Sequence, residues 1–154
     1  MRDNTWLKEQ LDHLLKTYFS NVKLTNPLEI KFGREAKFRF GSIKLISDKR
    51  VKRVRGVRGL IRLGDKPKKS VITITSMFAS PSIPTEVVQY TISHELCHYA
   101  HGFSSTNKRM FRHPHHGGIV NRELTDRGAA HLVHAFKRWL KDYRKKILEH
   151  RTEI

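Results

Sequence analysis

Residues 94–98 read His-Glu-Leu-Cys-His, and this spacing constrains the surrounding fold more than any other feature of the chain. On an α-helix, His94 and His98 project from one face, one turn apart. Two neutral imidazoles so placed can grip one Zn2+ at about 2.0–2.1 Å each. Glu95 lies about 100° further round the helix, where it can take a proton from a water at the metal without being a ligand. That is the mechanical content of H-E-x-x-H, and its usual chemistry is peptide-bond hydrolysis. A histidine pair at this spacing also occurs on helix surfaces that hold no metal, so the surrounding sequence has to decide.

The surroundings favour a helix. Thr85 is a candidate N-cap preceded by Pro84, and Gly102 is a natural C′ residue after Ala100 or His101. Val88, Ile92, Leu96 and Tyr99 form an apolar stripe at helical spacing, with His94 and His98 beside it. Cys97 reads as a packed side chain. Before this helix, Val71–Ser76 is the strongest strand pattern in the chain, with Met77–Ala79 as a continuation. In zinc proteases of this motif such a strand commonly runs along the cleft and pairs with an extended substrate. Earlier still, Trp6, Leu7, Leu11, Leu14, Leu15 and Tyr18 predict an amphipathic helix capped by Thr5, Asn4 or Asp3. Leu28–Phe32 and Ala36–Ile46 alternate as strands do. Residues 103–118 lack periodicity, and 121–151 predict one long helix or two joined near Gly128.

The length of 154 residues fits one domain, 1–154, of α+β class: an N-terminal helix, a small antiparallel sheet of three to four strands, the H-E-x-x-H helix and a C-terminal helix. No apolar run is long enough to span a membrane, and Met1–Trp6 lacks the apolar stretch of a signal peptide. The single cysteine, Cys97, excludes an internal disulfide framework and a four-cysteine zinc ribbon. The expectation is a cytoplasmic protein with no membrane partner, nucleoid-associated or nuclear if it binds DNA.

Charge identifies a class of partner. The net charge is +17, from 31 Lys and Arg against 14 Asp and Glu. Residues 49–69 contain ten Lys or Arg and one acid, Asp65. Neither parity of this stretch is clean, so it reads as a weakly amphipathic hairpin around Gly56–Gly59 or as a basic loop. The functional alternative is a phosphate-contacting arm, and the bland one a solvated edge strand protected by its charges. Lys137, Arg138, Lys141, Arg144, Lys145 and Lys146 add a second basic surface over 137–146. DNA is the expected partner, with salt-sensitive binding.

A catalytic zinc site usually has three protein ligands and a water. His101, His113, His115, His116 and Glu123 are all candidates for the third. The metzincin pattern fails twice, because His101 stands where Gly is required and Ser104 where His is required. Glu123 would make a gluzincin-type site.

The order H-E-x-x-H, a polar loop, then His116-Gly117 opening a helix resembles the SprT/Spartan-like zinc metalloprotease family. Residues 116–120 read His-Gly-Gly-Ile-Val where that family has an H-G-x-x-F/W-like segment. The resemblance implies His116 as third ligand with His94 and His98, Zn2+ as cofactor and Glu95 as catalytic base. It also implies a protein substrate bound or crosslinked to DNA. Tyr99, Arg112 and His113 are candidates for an assisting hydroxyl or cation. The rival class is a nucleic-acid-binding module whose zinc is structural, closed by His113 or His115 as a fourth ligand.

Overall fold

The structure is a computed structural model, and it describes residues 1–47, 49–53, 60–65, 68–111 and 118–152, with side chains described outside 48–67, 112–117 and 151–154. The first helix, α1 (Asn4–Tyr18), is capped by Asp3, whose carboxylate accepts the Trp6 N–H at 2.8 Å. Asp3 rather than Thr5 thus satisfies the first-turn donors. Leu7, Leu11 and Leu14 are buried, which is the expected stripe.

Three strands form the main sheet: β1 (Leu28–Phe32), β2 (Gly41–Ile46) and β5 (Lys69–Ile74), in the order β1-β5-β2. The sheet is mixed, which corrects the expectation of an all-antiparallel one. β2 runs antiparallel to β5, but β1 runs parallel to it, placing Ile30 and Ile43 on either side of Ile72. Alternation reveals which side chains share a face but says nothing of strand direction. Only the second half of the 36–46 stretch is strand. Met77–Ala79 does not extend β5, because Ser76–Ala79 close a 3-10 turn whose cap is the Thr75 hydroxyl. In the basic segment, β3 (Lys49–Arg53) and β4 (Leu60–Asp65) pair antiparallel as a separate two-stranded ribbon, irregular between Arg50 and Val51. Residues 54–59, where a hairpin turn was expected, lie outside the described residues.

α2 (Thr85–Ala100) carries the motif and is capped by Pro84, not Thr85, with no side-chain cap. It is not amphipathic. Eleven of its residues, from Val87 to Tyr99, are buried, because α1, β2, β5, α3 (Ile119–Asp126) and α4 (Ala130–Thr152) all pack against it. A helix buried all round loses the one-sided stripe of a surface helix. Gly102 follows with φ +83°, and a Cβ there would stand 2.6 Å from the Arg109 backbone, so only glycine closes this helix end. Gly128 (φ +89°) is the joint between α3 and α4. No helix among the described residues is long and apolar enough to cross a membrane.

Candidate metal centre

His94 and His98 meet as their spacing predicts. Their Nε2 atoms lie 3.1 Å apart, with ring centroids at 4.7 Å and planes nearly perpendicular. The approach suits one imidazole donating to the other. It also lies within a few tenths of an ångström of the roughly 3.3 Å that separates two nitrogens on a tetrahedral zinc. The donor set therefore fits such an ion. His98 is buried and His94 half-buried, at the wall of a cleft of about 780 Å³.

Glu95 lies in the same cleft wall and is only 6% exposed. Burial pushes its carboxyl up to about 7, and the Arg39 charge draws it partly back. Glycine at 41 lets β2 come this close to α2. A Cβ there would stand 2.8 Å from Thr91 Cγ2 and 3.5 Å from Glu95 Oε1. Tyr90 lines the cleft too. Burial and the nearby Cys97 hold its hydroxyl up at about 12 against a 2.6 Å hydrogen bond that it donates to Asn121.

The third ligand has fewer candidates than the sequence left open. Among the described residues, no group of three His, Cys, Asp or Glu is placed to hold a metal ion. His101 and Glu123 are each other's partners instead, with Nε2 to Oε1 at 2.8 Å. His101 is fully buried at the helix end, with the Phe111 ring centroid 4.7 Å from its own. The seven-residue step from His94 to His101 keeps roughly one face of the helix. His101, however, already stands at the C-cap, where the chain turns away. As placed, neither joins His94 and His98 in a group of three donors. His113, His115 and His116 lie outside the described residues, as does Arg112.

Tyr99 also leaves the site. Its hydroxyl is buried behind the helix, donating to Asn26 O at 2.9 Å. The phenols and cations that line the cleft with the motif, among the described residues, are instead Tyr90, Tyr143, Lys37, Arg39 and Arg144. The strand expected along the cleft, Val71–Ser76, is central and already paired on both edges. The cleft wall is the edge strand β2, through Gly41, Ser42 and Ile43. Comparison with family models, curated proteins and solved structures returned no match.

Proposed function

We propose that the chain is a zinc-dependent metallopeptidase of SprT type, acting on proteins bound or crosslinked to DNA. The observation that carries this reading is the convergence of His94 and His98 beside a buried Glu95 in the wall of an open cleft. A structural metal site is closed off by protein ligands, whereas a hydrolytic one needs room for substrate and a proton acceptor beside it.

His94 and His98 would hold the ion, with a third ligand from the 112–117 segment, His116 by the family resemblance. When bound, zinc supplies Lewis-acid polarisation of a carbonyl and lowers the pKa of water. Glu95 accepts a proton from the nucleophile and hands it to the leaving amine. Burial raises the proton affinity of this carboxyl, which suits a group that takes up a proton and passes it on. The edge of β2 offers backbone donors and acceptors to an extended peptide. The charge of +17 and the exposed cations of α4, Lys137, Arg138, Lys141, Lys145 and Lys146, support DNA as the tether.

The test is Glu95→Gln. Cleavage of a denatured protein should vanish while bound zinc, measured by elemental analysis, stays at the wild-type level. If zinc-loaded wild type cleaves nothing with or without DNA, the site is structural and the peptidase reading fails. DNA affinity should fall steeply with salt, and a flat dependence would remove the tether.

A further inference from the structure

The two lips of the cleft share one composition. One is the segment 37–39, where Lys37, Phe38 and Arg39 are all exposed, Phe38 at 72%. The other is the C-terminal half of α4, where Arg144 stands near Ile147 and Leu148, the last 60% exposed. Each lip pairs cations with uncovered apolar side chains. Glu95, in the wall between them, is the one acid that lines the cleft among the described residues. The neighbouring carboxylate Glu35 acts on the Tyr143 hydroxyl and is not part of the lining.

The first lip is held in place. The Thr75 hydroxyl accepts the Ala36 N–H at 2.8 Å and donates to Ala36 O at 3.0 Å, and the Thr75 N–H donates to Phe40 O at 2.8 Å. Tyr143 donates to Lys37 O at 2.9 Å, tying this lip to α4. Phe40 is wedged against Phe78, Phe136, Trp139 and Tyr143, with ring centroids 5.3–6.1 Å away. Phe38 is thus an exposed aromatic on a fixed backbone, which binds without a backbone-ordering cost. Among the described residues, no carboxylate stands within ion-pair distance of Lys37, Arg39 or Arg144, although the Arg39 charge reaches Glu95.

We propose that this cleft selects extended protein segments that mix apolar and acidic side chains, with Arg39 and Arg144 as the specificity-determining cations. The inference rests on the peptidase reading for its consequence, but not for the binding itself. Charge complementarity identifies the occupant. A second copy of this chain brings another +17 and is repelled. A nucleic acid strand could stack a base on Phe38, but it carries no aliphatic groups to cover Ile147 and Leu148 and brings a phosphate with every nucleotide past Glu95, whereas a peptide brings charge only at its acidic side chains. An acidic, apolar peptide satisfies both lips and can pair with the edge of β2.

The test uses three labelled peptides of one length: alternating Phe/Leu with Asp/Glu, the same with Asn/Gln, and the same with Lys. Anisotropy is read on the full zinc-loaded chain carrying Glu95→Gln, so that turnover does not consume the probe, and the oligonucleotide arm is repeated on the metal-free chain with Glu95 intact. The acidic peptide should bind about tenfold tighter than its neutral isostere, as two solvent-facing ion pairs would give, and the Lys peptide weakest. Arg39→Glu and Arg144→Glu should each erase most of that ratio. Arg39→Gln and Arg144→Gln should erase part of it, and both positions are exposed, so the fold persists. Lys16→Glu, the same charge change on the exposed surface of α1, should leave the ratio intact. Equal affinities for the acidic and neutral peptides overturn the proposal. So does a Lys16→Glu loss as large as that of Arg39→Glu, which would mean the general field of the protein is responsible. Displacement by a single-stranded oligonucleotide that is itself weakened by both arginine variants overturns it too, in favour of a nucleic-acid cleft. Intact selectivity without cleavage by wild type would sink hydrolysis alone, and cleavage without selectivity would sink this inference alone.

Discussion

α2 presents histidines in two kinds of company. Near its middle, His94 and His98 turn their Nε2 atoms toward each other, 3.1 Å apart, in the wall of the cleft. At its C-terminal end, His101 is fully buried and spends its Nε2 on Glu123. Arg127 stands behind that carboxylate at 3.5 Å, itself stacked over Phe19 and donating to Tyr18 O and Asn21. One end gathers donors around a space. The other joins an imidazole, a carboxylate and a guanidinium in one chain of contacts and ties α2, α3 and α1 together. Three histidines spaced for one helix face thus divide into candidate ligands and a structural clasp, and the partner of each ring is what separates them.

The largest effects should mark the cleft side. Glu95→Gln should lower peptide hydrolysis by about 10²–10⁴-fold with zinc content unchanged, the range for removing a positioned general base. His98→Ala should abolish stoichiometric zinc binding and activity together, with the metal-free protein still folded by circular dichroism. If His98→Ala keeps one zinc per chain and wild-type turnover, the two ends of the helix are not different in kind.

The clasp side should respond in stability. His101→Ala leaves Glu123 in a partly buried place without its donor and opens a gap beneath Phe111. The expected loss is about 2–4 kcal/mol in urea unfolding, with zinc stoichiometry retained. Loss of zinc with unchanged stability would instead restore His101 to the ligand set and erase the contrast.

This contrast shows where sequence patterns stop. The helix around 94–98, the capping glycine at 102, the joint at Gly128 and the strands at 28–32 and 71–74 follow from local period and turn chemistry, and the structure has them. The partner of His101 does not follow, because Glu123 lies 22 positions away and meets it only through the packing of α3 on α2. The strand that lines the cleft differs from the expected one for the same reason. β-branched density marks Val71–Ile74 as a well-buried strand, and a well-buried strand is the one with neighbours on both edges. The weaker pattern at Gly41–Ile46, with a glycine and two exposed positions, is what an edge strand beside a cleft looks like. Arg39 has no signature in the sequence, because an exposed arginine in an alternating stretch carries no local sign of the Glu95 charge it acts on.

Gly41→Ala tests how closely the cleft side depends on that edge. The new methyl would press on Thr91 Cγ2 at 2.8 Å, and Thr91 cannot swing freely while its hydroxyl donates to Val87 O at 3.0 Å. A shift of β2 by a few tenths of an ångström should cost about 1–2 kcal/mol. Activity should fall with zinc affinity unchanged, which would separate the setting of Glu95 from the setting of the two imidazoles. Equal losses of metal and turnover would show them to be one unit.

Glu123→Gln should have the smallest effect at neutral pH, because an amide oxygen still accepts from His101. Its signature is in acid. Burial by itself would raise the Glu123 carboxyl. Hydrogen bonds from His101 and Cys97, with the charges of His101 and Arg127, outweigh burial and hold it below the ordinary carboxylate range. A depressed folded pKa contributes stability that is present above the unfolded value, about 4.3, and is lost as pH falls through the lower folded value. Wild type should therefore exceed Glu123→Gln in urea midpoint at pH 6, by less than about 1 kcal/mol, with the gap closing as pH falls below about 4. A gap of constant size from pH 6 to pH 3 would mean that the carboxylate charge contributes nothing. The clasp would then hold by shape and hydrogen bonding alone, closer in kind to the imidazole pair in the cleft than its geometry suggests.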